Sequence, residues 1–463
     1  MSRRMARARL KIPFFIALIA LIAPMMVALG AGGAAAQDAT PAAAAYDPAS
    51  VDAWLADIKA KYEGQTIVMS VSEHPSTTAF EETIKPFEEA TGVKVEFDVM
   101  EEGAMLEKQL LECGSSSNTY DIYQTAVEAV TQMGQTGCIV PLNDYVASAP
   151  AFFDYEDLMP AYRAIFTVGD TIYAIPTAGE SVFLIYRKDL FDAAGIEPPK
   201  TWDELLAIAK QFHEGGEVEG VAFRAVKGWQ FTYTYSIFLF PFGGKMIDPE
   251  TGKVVIDSPE SAAALDFMKA LKPYAPVGIE SFSFPESFAA MQNGDVAMLI
   301  EATAAGPEME NPEKSTVAGK LGYAVLPAGP AGAYTGVWGW SFGINAASEK
   351  KDLAWAVITW LTSRYTQQDY INAGGIVSRS SAFDDPANIE KYPFFQATGE
   401  ALAQAGDLSA QGLSVVPQTP LWTQMSDIMG NYGSEAFVDQ MTSAEAVAKM
   451  QQDIDAVFAE EGS

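Results

Sequence analysis

Cysteine and histidine are scarce in this chain. Its 463 residues hold two of each: Cys113, Cys138, His74 and His213. They leave no group of ligands at zinc-like spacing, so no metal and no other cofactor is expected. Neither histidine is placed to activate a cysteine, and a Gly-x-Ser-x-Gly serine elbow is not expected either. Internal repeats are missing, which argues against a self-associating surface array; a monomer is expected. Basic residues are few as well: 29 Lys and Arg stand against 60 Asp and Glu, for a net charge of −31. A surface this acidic repels nucleic acid and anionic lipid, and neither is expected as a partner.

Apolar residues approach membrane-spanning length only between Ile12 and Leu29. Arg3, Arg4, Arg7, Arg9 and Lys11 precede that run, and Ala34–Ala36 follows it with small residues. Residues 1–36 therefore read as a signal peptide cleaved before Gln37, which places the mature chain in the periplasm. An uncleaved anchor is the alternative, disfavoured by Pro13, Pro24 and the small-residue end. Without this segment 24 basic residues face 60 acidic ones, a net of −36. The remaining length fits two domains at roughly 100–200 residues each. An oxidising compartment favours a bridge between Cys113 and Cys138, with two separate buried thiols as the alternative.

What the chain does have is alternation of strand and helix. A short amphipathic piece near Trp54–Tyr62 reads as a loosely attached leader helix. Gln65–Val71, Val93–Val99 and Asp121–Tyr123 read as strands, each followed by a helical pattern. This order implies a mainly parallel sheet with helices on both faces and ligands at the carboxyl ends of the strands. Those ends carry Glu73, His74 and Gln124. Farther on, Thr171–Pro176 and the apolar run Ser181–Arg187 are strands separated by Thr177-Ala-Gly-Glu180, the signature of a chain crossing between domains. A capping box, Thr201-Trp-Asp-Glu204, opens the next helix. Lys227–Tyr235 is dense in aromatic rings, with Trp229 and Tyr233 four apart on one face. Asp295–Ile300 is a buried strand ending on Glu301 and Thr303.

Glu180-Ser-Val-Phe-Leu-Ile-Tyr-Arg-Lys-Asp-Leu, followed by Pro-Lys-Thr-Trp-Asp-Glu-Leu, resembles the crossover of bacterial extracellular solute-binding proteins of the maltose-binding type. Tyr334–Ser348, with Trp338 and Trp340 around Gly339, resembles the family's second interdomain crossing. Gly374–Ser381, with Arg379, resembles the third. Val416–Trp422 is similar to the family's closing segment with its ligand-facing tryptophan. The likeness spans roughly residues 65 to 460 and departs from the family at residues 227–245, which are unusually aromatic. It implies an α/β fold of the two-lobed periplasmic-binding-protein type (type II), each lobe a mainly parallel sheet flanked by helices, joined by three crossings. The implied lobes are residues 65–178 with 340–372, and 180–335 with 376–463.

The resemblance implies the receptor of an ATP-driven (ABC-type) carbohydrate importer, with membrane permease subunits as partners and no enzymatic activity. Glu180 takes the position of the family's ligand-bonding carboxylate, and Glu73 and His74 the place where sugar hydroxyls are bonded. Glu301, Thr303, Gln124 and Arg379 are further polar candidates, and Trp229, Tyr233, Trp338, Trp340 and Trp422 candidates for stacking. Trp355 and Trp360 lie in a helical stripe and are assigned to the core. Sugars suit such a set, because their C–H faces stack on rings while their hydroxyls bond carboxylates and amides. Two alternatives remain: a glycoside hydrolase using Glu180 and Glu301 as paired carboxylates, and a receptor for glycerol phosphate esters. Arg379 and Lys227 are the only cations expected near the site, against Glu73, Glu180 and Glu301. That balance favours a neutral sugar or sugar alcohol.

Overall fold

Runs of Val, Ile, Leu and Phe bounded by glycine, proline and helix caps form the strands of two sheets. The computed structural model describes residues 47–461. Along the chain the strands are β1 (Thr66–Ser72), β2 (Lys94–Met100), β3 (Ile122–Ala126), β4 (Thr167–Val168), β5 (Thr171–Ile172), β6 (Ile175–Glu180), β7 (Val182–Arg187), β8 (Glu219–Ala222), β9 (Val296–Ala302), β10 (Leu321–Val325) and β11 (Trp338–Ile344). The first lobe's sheet runs β2-β1-β3-β11-β6 and the second's β10-β7-β9-β8, with β4 and β5 as a separate ribbon. Helices cover both sheets.

The sheets are mixed, which corrects the expectation of mainly parallel ones. β1 pairs parallel with β2 and β3, as βα units require. β11 pairs antiparallel with both β3 and β6, and β7 antiparallel with β9 and β10. The reason lies in the crossings. A strand that enters from the other lobe has no helical crossover to reverse its direction, so it joins the sheet antiparallel.

The first crossing is one residue long. β6 ends at Glu180 and β7 begins at Val182, leaving Ser181 between them. Its amide donates to Thr303 Oγ1 at 3.1 Å and its hydroxyl to the Gly336 carbonyl at 2.8 Å, while the Thr303 amide donates back to the Ser181 carbonyl at 2.9 Å. Thr303 thus fastens the crossing. Gly374, at φ +89°, opens the third crossing. Arg379 anchors it to the first lobe from a site only 1% exposed. Its guanidinium donates to the carbonyls of Phe153, Asp154 and Thr362 and to Asp157. With every donor nitrogen engaged, Arg379 is a structural anchor, which corrects its assignment to the ligand.

The helix Pro48–Tyr62 is not loosely attached. Val51 and Ile58 are buried, and Trp54 lies 5.2 Å from the Phe152 ring and 6.1 Å from Phe87. Apolar residues three or four apart make this face, and the aromatic rings of the first lobe close over it. The proposed signal peptide lies outside the described residues, among which no helix is long and apolar enough to cross a membrane.

Cys113 and Cys138 are bonded to each other, with their Cα atoms 5.1 Å apart. The bridge joins the last turn of the helix Glu102–Ser115 to the chain just beyond the helix Val127–Gln135. Both helices start at the carboxyl edge of the first sheet, so the bridge fixes their far ends together. Replacing both cysteines by serine should lower the stability of the mature protein by about 2–4 kcal/mol. Denaturant titration reads this directly; a midpoint and slope equal to those of the wild type would refute it.

Candidate functional site

Four elements of the first lobe send polar side chains to one place. After β1, His74 caps the helix Pro75–Thr83, its Nδ1 accepting from the Ser76 amide at 3.3 Å. With Nδ1 an acceptor, Nε2 carries the proton, and it donates to Glu180 Oε1 at 3.2 Å. The Trp340 ring lies 5.8 Å from the imidazole. After β2 comes Glu102, in the first turn of its helix, and after β3 comes Glu128, in the first turn of the next. Burial, then the nearby charge of Glu180, raises Glu102 above the usual carboxylate range. Burial pushes Glu128 up to about 7, with the charges of Glu102 and Glu180 adding to it. Glu102, Glu128 and Glu180 therefore form one group of mutually repelling carboxylates at the carboxyl edge of the sheet. Glu73 is exposed beside them, its amide bonded to the Met100 carbonyl at 2.8 Å.

The second lobe answers with a cation and rings. β8 and β9 run parallel with Ala222 opposite Leu299, and two residues further this register sets Arg224 beside Glu301. Glu301 is 0% exposed. It accepts from Arg224 Nε and Nη2, from Ser287 Oγ at 2.9 Å and from the Ala302 amide at 2.7 Å. Burial works against the guanidinium charge, but Glu301 outweighs it and holds Arg224 protonated. The guanidinium sits 4.3 Å over the Tyr233 ring and 4.7 Å over Phe284. Tyr233 in turn packs on Trp338, centroids 4.5 Å apart, and Trp338 faces Glu180 across the β11–β6 pair. Trp229, 46% exposed, begins the helix Trp229–Leu239.

Several assignments change. Glu301 is fully bonded within the protein, so it is a partner of Arg224 and not a ligand acceptor. Gln124 is buried, its Oε1 accepting from the Ser72 amide at 2.7 Å and so joining β3 to β1, while its Nε2 has no partner among the described residues. Trp422 is buried among core side chains. Trp340 is also mostly buried, in a small cluster with Met105, Ala126, Ala178 and Ala302. Lys227 pairs with Glu435 at 3.1 Å. The cation of the site is Arg224, which the sequence reading passed over although it directly follows an apolar strand. Glu102 and Glu128 were passed over too; their signal was a carboxylate in the first helical turn after a strand end. The sequence does spell a Gly-x-Ser-x-Gly word, Gly339-Trp-Ser-Phe-Gly343, contrary to expectation. It lies inside β11 with Ser341 buried and its hydroxyl donating to the Thr125 carbonyl at 2.9 Å, so it forms no nucleophile elbow.

A cavity of about 610 Å³ lies beside this group, lined from the first lobe by Glu128, Thr131 and Ile165 and from the second by Pro249, Ser414 and Gln418. Glu128 is the residue it shares with the carboxylate cluster. At its rim Gln418 Nε2 donates to the carbonyls of Thr167 at 3.0 Å and Ala164 at 3.3 Å.

The mannitol-binding protein of Pseudomonas aeruginosa is 26% identical over 408 residues, covering 84% of this chain and 92% of that one. A solute-binding protein of an ABC transporter from Agrobacterium radiobacter, in complex with ribitol, superposes with a TM-score of 0.76 at 25% identity, covering 84% of this chain and 98% of the other. Another from Agrobacterium vitis, with bound D-mannitol, gives 0.74 at 26% identity, covering 86% and 99%. The family model described as bacterial extracellular solute-binding protein matches residues 72–368. This chain belongs to the bacterial extracellular solute-binding protein family.

Proposed function

We propose that this protein is the periplasmic receptor of an ABC-type importer, binding a neutral sugar or sugar alcohol between its lobes and passing it to the membrane permease. The observation that carries the reading is the set facing the crossing: Glu180 held by His74, Trp338 on Tyr233, and Arg224 held by Glu301. Among the described residues Arg224 has no hydrogen-bond partner at Nη1, which can donate to a ligand hydroxyl while Glu180 accepts from one. The rings of Trp338 and Trp229 offer apolar faces to C–H groups. Relatives that carry mannitol and ribitol support a polyol in particular.

A phosphate ester fits poorly. Arg224 is already neutralised by Glu301, and Glu180 would oppose a dianion by on the order of 1–4 kcal/mol at ~4 Å. Hydrolysis through Glu180 and Glu301 fits no better, because Glu301 is bound up in the ion pair and cannot serve as acid or nucleophile.

Calorimetry with D-mannitol, ribitol, maltose and glycerol phosphate should give binding among the neutral ligands only. Phosphate-dependent binding would sink the assignment. Glu180→Gln removes a charged acceptor of a ligand hydroxyl and should weaken binding roughly 10- to 150-fold, for a loss of about 1.5–3 kcal/mol. Arg224→Gln leaves Glu301 buried without its cation and should cost about 3–5 kcal/mol of stability as well as affinity. If that variant melts like the wild type, the pair is not the scaffold described here. A saturating neutral ligand should also shrink the radius of gyration in small-angle scattering, as the lobes close on it.

A further inference from the structure

Glu128 stands among negative charges, and its own backbone amide, donating to the carboxylate, offsets burial and those charges only in part. The charges that face it are Glu102, at the start of the neighbouring helix, and Glu180, at the end of β6. His74 is bonded to Glu180, and Arg224 to Glu301; both act on Glu102, and neither is among the charges on Glu128. Across the cavity the second lobe offers Ile247, Pro249, Leu413, Ser414, Gln418 and Thr419, none of them charged. From its own side come Thr131, Ile165 and Thr167. A ligand that fills the cleft and displaces its water removes the last solvation of this carboxylate, and the neutral form is then the cheaper one.

We infer that Glu128 meets the ligand as a neutral carboxylic acid, donating its proton to a ligand hydroxyl oxygen, so that capture of a neutral polyol takes up a proton from solvent. The inference rests on the reading of the cleft as a sugar or polyol site. The balance is simple: one proton moves from solvent to the Glu128 carboxylate, and no other bond forms or breaks. The donor role is complementary to that of Glu180, which accepts, and makes Glu128 a specificity-determining residue for hydroxyl-bearing ligands without charge. The sign of the pH effect follows. Below about 7 the free protein already holds the proton, and binding is insensitive to pH. Above it the proton must be taken from solvent, and affinity falls as pH rises, by up to about tenfold per unit.

The test is calorimetry on the full mature protein with D-mannitol, ribitol, maltose, glucose and glucosamine, from about pH 6 to about pH 8.5, in phosphate and in Tris. The two buffers differ in ionisation enthalpy, so the difference in heat counts protons. The expected result is uptake approaching one proton per ligand near pH 8 and little near pH 6. In Glu128→Gln the proton count should vanish together with the pH dependence, whatever its affinity. Binding near pH 8 without proton uptake overturns the inference and leaves the sugar reading standing. So does a pH dependence that persists in Glu128→Gln. Stronger binding of glucosamine than of glucose, without proton uptake, also overturns it, because a ligand ammonium would then supply the positive charge. If nothing in the panel binds, the sugar reading fails and takes the inference with it. Should Glu128→Gln not fold, as judged by circular dichroism, the two-buffer comparison on the wild type decides alone.

Discussion

The passage of the chain from one sheet to the other in a single residue constrains everything around the cleft. With only Ser181 between β6 and β7, the last side chain of the first sheet and the first of the second cannot move independently. The β11–β6 register sets Trp338 opposite Glu180, and the β7–β9 register sets Phe183 opposite Glu301. The two carboxylates are thus placed by adjoining strand pairs that share one junction. A slip of one residue in either pair would turn its carboxylate to the other face of the sheet. Ser181 and Thr303, bonded to each other in both directions, hold the junction against such a slip.

Electrostatics divides the two carboxylates into different roles. Glu301 lies under Phe284, Tyr233 and Ser287 and has a guanidinium to neutralise it; its value is to hold Arg224 in one orientation against the rings. A buried pair of this kind contributes little net stability but is costly to break, so it fixes geometry more than it stabilises. Glu180 is bonded by His74 and stays partly accessible. The sequence presents both as carboxylates at strand ends. Their difference comes from Arg224, 77 residues from Glu301 in the chain and adjacent to it only once β8 and β9 pair.

That contrast describes how far the sequence could be read. Local signals were legible because their causes are local. Thr201 does cap the helix Trp202–Gly215, accepting from the Glu204 amide at 3.2 Å, and the apolar run after Ser181 does become a buried strand. The family words at residues 180–190 and 334–348 placed the crossing strands for the same reason. Strand direction was not legible, since alternation of strand and helix says nothing about a strand returning from the other lobe. Nor was the fate of a polar residue. Arg379 and Arg224 are both arginines beside strands or crossings, yet one spends its donors on three main-chain carbonyls and Asp157 and the other spends Nε and Nη2 on one carboxylate. Only the fold decides which partners come within reach.

The aromatic stretch shows the same logic at one helix. Trp229–Leu239 carries a tryptophan, a phenylalanine and two tyrosines within its first seven residues, and periodicity alone divides them into two faces. The structure buries every residue from Phe231 to Leu239, because the helices Pro259–Leu271 and Trp422–Phe437 pack against this one. Contact with the second of these is so close that a Cβ at Gly430 would meet the Gly228 carbonyl oxygen at 2.0 Å. Gly228 itself holds φ +99°, a conformation open to glycine, and so turns the chain sharply into the helix. Trp229 is left outside the packed segment by that turn. Its exposure is therefore imposed by the backbone beneath it and is not a packing defect. On a helix whose residues from Phe231 onward are all buried, that turn leaves one indole of the second lobe exposed.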